Sequence, residues 1–232
     1  MPAAENVPVE LVVAHDAGGA AREAAQLLAA VARRGGHVAL SGGSTPRLAY
    51  ELAASLEPDW AGVDVWLVDE RCVPPADERS NLRLVRESLV DRLARPPRLH
   101  PVRTELPPAD AAADYAGALR GTTLALGLLG LGADGHTASL FPDAPSLEED
   151  EAPAVAAPAA LAPWVDRVTM TIPTLTAASE VVFLATGAAK APAARRAFAE
   201  PPSRRTPASL VRSTHGRTIV VLDPDAAAEL RA

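Results

Sequence analysis

The run Leu124 to Leu131, L-A-L-G-L-L-G-L, contains no polar side chain. An apolar run without alternation suits a strand buried on both faces, as in a parallel sheet covered by helices on each side. It must stop at Gly132, because Ala133-Asp134-Gly135 is turn chemistry. His136 follows directly, and Thr137 to Ser139 are expected to open a short helix before Pro142. An acid and an imidazole, one glycine apart, are therefore delivered just past the carboxyl end of a buried strand. Ligands bind at that edge of open α/β sheets. Asp-Gly-His is also an ordinary surface turn, so the rest of the chain must decide between the two readings.

A second loop has the same position relative to its strand. His37 to Leu40 reads as a short buried strand, and Ser41-Gly42-Gly43-Ser44-Thr45-Pro46 leads into a helix through about Leu56. Gly42 and Gly43 allow a turn whose N–H groups converge on an anion. Ser44 and Thr45 add hydroxyl donors, Pro46 suits the first helical position, and the helix dipole faces the same spot. The natural ligand is a phosphate. The P-loop lysine and the dinucleotide glycine spacing are both missing, which argues against ATP and NAD. A third strand, Val63 to Val68, runs into the polar triplet Asp69-Glu70-Arg71. Three polar segments thus follow three strand ends and can share one crevice.

The remaining segments keep the same rhythm. Val7 to Ala14 reads as a strand, and Asp16 caps a helix to about Arg34 that Gly35-Gly36 stops. Ser80 is expected to cap a helix to about Leu93, Leu99 to Val102 to form a short strand, and Pro107 to Arg120 a helix. Residues 143–163 are acidic and rich in Pro and Ala, a loop around a possible strand at Ala154 to Ala157. Arg167 to Ile172 alternates with period two, and Val181 to Ala185 is again apolar. Lys190 falls in the first turn of the next helix, where a cation opposes the dipole, so an anionic partner is expected. Thr218 to Leu222 is the last strand and Pro224 to Leu230 a closing helix. Alternating strands and helices call for an α/β fold with a doubly wound, mostly parallel, Rossmann-like sheet and helices on both faces. Residues 1–232 are expected to form a single domain.

Composition enters as a set of exclusions. A net charge of -7 with no basic patch argues against nucleic acid, so an anionic ligand needs a local cationic site. Cys72 is the only cysteine, which rules out an intrachain disulfide and fits a reducing compartment. No stretch has the length of a membrane span, and the N-terminus has no signal-peptide pattern, so a cytoplasmic protein is expected. The 5 histidines and the acids form no zinc spacing, and neither metal nor cofactor is expected. His37 and His100 read as structural, and His215 as solvated.

Taken together, S-G-G-S-T-P, D-E-R-C-V-P with Ser80-Asn81, and G-L-G-A-D-G-H-T-A-S-L-F-P resemble the 6-phosphogluconolactonase family. Arg167-Val168-Thr169, the Gly187 to Lys190 segment and the V-V-L-D ending extend the resemblance over essentially the whole chain. The family is related to glucosamine-6-phosphate deaminase, whose His is followed by Asn-Glu-Pro with a Glu that supports ring opening. Here Ser139-Leu140-Phe141-Pro142 offer no acid.

The resemblance implies hydrolysis of 6-phospho-D-glucono-1,5-lactone to 6-phosphogluconate, a step of the oxidative pentose phosphate route; a monomer or homodimer is expected. It implies His136 as general base, with Asp134 orienting the imidazole or the water. Gly42, Gly43, Ser44 and Thr45 look like the phosphate loop, Arg167 and Lys190 like a cationic clamp that Arg71 joins, and Asp69 like a contact to sugar hydroxyls. Glu70 reads as structural. Backbone N–H groups near Gly132 to Gly135 are candidate oxyanion donors. A deaminase or isomerase, or a non-catalytic sugar-phosphate sensor, is the alternative.

Overall fold

The computed structural model describes residues 9–160 and 162–230. In chain order the elements are β1 (Val9–Val13), α1 (Ala17–Arg34), β2 (Gly36–Leu40), α2 (Ser44–Leu56), β3 (Val63–Leu67), β4 (Asp69–Arg71), α3 (Asn81–Ser88) and β5 (Arg98–His100). They continue as α4 (Pro108–Leu119), β6 (Leu124–Leu129), β7 (Ala154–Ala157), β8 (Arg167–Met170), α5 (Ile172–Thr176), β9 (Glu180–Ala185), α6 (Ala191–Phe198) and β10 (Arg217–Leu222). Seven strands pair in parallel in the order β1-β10-β9-β6-β2-β3-β5. The apolar run from Leu124 forms β6, the middle strand of that sheet, as its lack of alternation requires.

The sheet is covered on both faces, which makes it the doubly wound α/β fold that the strand–helix rhythm calls for. Along β9, Val181, Phe183 and Ala185 pack into one core with Tyr115 of α4 and Ala193 and Ala194 of α6. Val182 and Leu184 point into the other, with Leu28 of α1 and Tyr50 of α2. Strand order reverses between β2 and β6, whose chain continuations run outward from β6 through β9 and from β2 through β3. The loops after β2 and β6 therefore flank the switch point, where a crevice opens at the carboxyl edge. No helix among the described residues is long and apolar enough to cross a membrane.

Several expectations need correction. Asp69-Glu70-Arg71 does not end a strand in a loop. It forms β4 of a second, three-stranded antiparallel sheet, β4-β8-β7. The transfer happens at Val68, whose N–H donates to Leu40 in the large sheet while its carbonyl accepts from Met170. Tyr115 secures the exit, its hydroxyl accepting from the Leu67 N–H and donating to the Leu67 carbonyl. Thr137 to Ser139 form a tight turn closed by the Leu140 N–H on the Thr137 carbonyl, with Ala138 at φ 50°, not a helix. Pro224 to Leu230 is a succession of turns.

Boundaries shift elsewhere. Gly36 begins β2, and α2 starts at Ser44. The helix capped by Ser80 ends at Ser88 and gives way to a 3-10 turn over Val90–Arg92. The expected strand at Leu99 to Val102 is β5, Arg98–His100, and that at Arg167 to Ile172 stops at Met170. Lys190 closes a 3-10 turn just ahead of α6. The start of the expected first strand, Val7-Pro8, lies outside the described residues.

Candidate active site

At the switch point lies a cleft lined by Ser41 to Pro46, Asp69, Arg71, Asn81, Gly130 to Gly132, His136, Ala138, Arg167, Leu184, Ala185 and Lys190. Its empty volume, open mouth included, is about 760 Å³. Of the residues expected to share a crevice, Gly42, Gly43, Ser44, Thr45, Asp69, Arg71, His136, Arg167 and Lys190 all line it.

Asp134 does not line the cleft. It stands behind His136, its Oδ1 2.6 Å from the imidazole Nδ1 and accepting the His136 backbone N–H at 3.1 Å. With Nδ1 engaged by a carboxylate, Nε2 is the ring nitrogen left for the cleft. Burial raises the Asp134 carboxyl, but the His136 hydrogen bond and charge outweigh it and hold the group below its ordinary value. Gly132 gives the pair its space: a Cβ there would fall 2.1 Å from His136 Nδ1 and 2.5 Å from Asp134 Oδ1. The turn consumes its own donors, Gly132 N–H going to the His136 carbonyl and Gly135 N–H to the Gly132 carbonyl. These two N–H groups are therefore not the oxyanion donors proposed from the sequence.

Opposite the histidine, the loop after β2 is fixed at its root. Ser41 Oγ donates to the Leu128 carbonyl at 2.7 Å, and Tyr50 Oη to the Ser41 carbonyl at 2.6 Å. Gly43 adopts φ 103°, which only glycine accepts readily. Immediately after it α2 begins, and the first N–H groups of a helix have no intrahelical acceptor.

The small sheet supplies the charge. Asp69 pairs with Thr169 and Arg71 with Arg167, so these four side chains share one face. Asp69 is buried, accepting Ser139 Oγ at 2.6 Å on Oδ2 and Asn81 Nδ2 at 3.2 Å on Oδ1. Burial lowers the affinity of the Arg167 guanidinium for its proton; Asp69 opposes this and Arg71 adds to it. An arginine nonetheless stays charged. Arg71 Nη1 donates to the Arg79 carbonyl at 2.6 Å. Lys190, for which an anionic partner was expected, has no ion pair among the described residues, and its side chain lines the cleft.

Glu70 points away from the cleft. Its carboxylate takes the N–H groups of Arg71, Asn81 and Leu82 and the Ser80 hydroxyl, closing the start of α3. His100 sits on Asp64 at 2.6 Å and stacks on Trp66, and His37 accepts from Trp66 Nε1. Both histidines are structural, and His215 is exposed.

Asn81 and Ser139 are site residues that sequence reasoning missed. Asn81 is buried at the cleft wall against Gly42. Ser139 ties Asp69 to Arg167, whose Nη1 lies 3.4 Å from its hydroxyl. Both fall inside quoted motifs, but their partners are distant in sequence.

Residues 13–220 match the family model described as glucosamine-6-phosphate isomerases/6-phosphogluconolactonase. The chain is 46% identical over 129 residues to the 6-phosphogluconolactonase of Rhizobium meliloti, a match that spans 54% of this chain and 56% of that protein. It is 40% identical over 201 residues to the human 6-phosphogluconolactonase, covering 81% of this chain and 78% of the human one. Among solved structures, the 6-phosphogluconolactonase of Thermotoga maritima superposes with a TM-score of 0.83 at 27% identity, over 93% of this chain and 100% of the other.

Proposed function

The chain belongs to the family of glucosamine-6-phosphate isomerases and 6-phosphogluconolactonases, and within it we propose that it hydrolyses 6-phospho-D-glucono-1,5-lactone to 6-phospho-D-gluconate, a step of the oxidative pentose phosphate route. The observation that carries this reading is the His136–Asp134 pair, 2.6 Å apart, at a cleft that also holds Arg71, Arg167 and Lys190.

The chemistry follows from those groups. A δ-lactone is a cyclic ester. Water attacks its carbonyl carbon as His136 Nε2 takes a proton from it, and Asp134 stabilises the imidazolium that forms. When the tetrahedral intermediate collapses, the bond from the carbonyl carbon to the ring oxygen breaks. His136 returns its proton to that oxygen. The product is a hydroxy acid, which ionises and acidifies the medium.

The phosphate is held at the other end. Gly42 to Thr45 offer N–H and hydroxyl donors, and Lys190, Arg167 and Arg71 supply charge-assisted bonds. Binding energy at this remote group holds the carbonyl near the base. Asp69 retains lone pairs for a sugar hydroxyl beyond those used by Ser139 and Asn81. Lys190→Ala and Arg167→Ala are expected to act mainly through KM.

A deaminase needs a second acid for ring opening, and Asp69 is the only carboxylate among the described cleft-lining residues. Two assays separate the readings. Acid release from fresh lactone, above its spontaneous rate, supports the lactonase. Ammonia release from glucosamine 6-phosphate without lactone acceleration would overturn it.

A further inference from the structure

We propose that Phe141 is a positioning residue for this reaction, seating the general base and the phosphate clamp against one shared ring. The proposal rests on the lactonase reading above. Phe141 is 4% exposed and touches both groups. The His136 ring lies 5.2 Å from it, tilted by 54°. The Arg167 guanidinium carbon lies over its ring at 5.2 Å from the centroid.

This geometry assigns the ring two tasks. A guanidinium over an aromatic face is attracted by the ring quadrupole, and the attraction strengthens when water is excluded. Ser139 Oγ meets the same guanidinium from two residues earlier in the same turn. The segment that carries His136 thus also orients Arg167. The ring also backs the imidazole. Asp134 fixes Nδ1, and Phe141 limits rotation of the ring about that contact. Arg167 is always cationic and His136 becomes so during turnover. Both groups thus lie against one ring.

The test compares Phe141→Leu and Phe141→Met, which keep an apolar wall without a π face, with Phe141→Tyr, which keeps the ring. Thermal unfolding confirms that each variant folds. Lactone hydrolysis gives kcat and KM, and titration calorimetry gives the affinity for inorganic phosphate, a readout independent of turnover. The expected result is that Leu and Met each lower kcat and phosphate affinity by about tenfold, the scale of a desolvated cation–π contact, while Tyr stays within about twofold of wild type. Unchanged kcat and phosphate affinity in a folded Leu or Met variant would overturn the proposal, as would equal losses in all three variants. If the wild type does not accelerate lactone hydrolysis, the lactonase reading fails by itself. In that case unchanged phosphate affinity in the Leu and Met variants would still refute the seat on Arg167.

Discussion

Replacing Gly42 by alanine tests how the phosphate loop is built. Gly42 is not among the glycines with positive φ, so its backbone would tolerate a side chain. The obstacle is space. A Cβ at this position would lie 1.7 Å from Asn81 Oδ1 and 2.2 Å from Asn81 Cγ. The amide cannot swing away freely, because Asn81 is 1% exposed and its Nδ2 donates to the Asp69 carbonyl at 2.8 Å and to Asp69 Oδ1 at 3.2 Å. Forcing a methyl into a packed site costs about 1–3 kcal/mol. Driving the amide off Asp69 adds about 1–3 kcal/mol for groups left unsatisfied. We expect Gly42→Ala to lose about 2–6 kcal/mol in urea denaturation, a large share of the roughly 5–15 kcal/mol of a typical domain. KM for the lactone should rise as the loop moves. Asn81→Ala removes the obstacle, so on that background Gly42→Ala should add less than about 0.5 kcal/mol, as coupling between touching residues requires. An equal cost on both backgrounds, or no cost on either, would refute the steric argument.

Other consequences follow from single groups. Asp134 is held below its ordinary value of 3.8, so its stabilising interaction is complete above that value and lost as pH falls through the lower native one; Asp134→Asn should flatten the acid limb of a pH–stability profile, and an unaltered limb would contradict this. Glu70→Ala leaves three N–H groups and a buried hydroxyl without their acceptor, and should cost about 2–4 kcal/mol, read as a lower urea midpoint; a midpoint equal to wild type would remove its capping role. Burial, aided by Asp166 and Glu70, pushes the Cys72 thiol up to about 11, so iodoacetamide should label it much more slowly at pH 7.5 than a free thiol, and rapid labelling would show the side chain to be accessible as thiolate.

What the sequence reveals depends on how local the determinant is. The β6 strand and the turn after it are readable because burial on both faces leaves an unbroken apolar run and Asp-Gly must turn. The loop after β2 is readable for the same reason, since its glycines, hydroxyls and helix start are consecutive. The second sheet is not. Asp69-Glu70-Arg71 looks like a polar strand end, and only pairing with Arg167–Met170, far along the chain, makes it a strand. That pairing also turns the alternating Arg167 to Met170 segment into a strand that brings Arg167 to the cleft wall. Asn81 escapes notice because its role depends on Gly42 and Asp69 meeting it in space. The turn at Ala138 is set by the Thr137 hydroxyl on the Gly130 carbonyl and by Ser139 bonding to Asp69 and Thr169, none of which local propensity encodes.

The most direct test of the account is the kcat of His136→Ala for fresh 6-phosphogluconolactone, measured by acid release against the spontaneous rate, with thermal unfolding checked in parallel. The account predicts a fall of roughly 100-fold or more, the usual scale for loss of a general base, with the unfolding midpoint close to wild type. A kcat near that of the wild type would remove His136 from the chemistry.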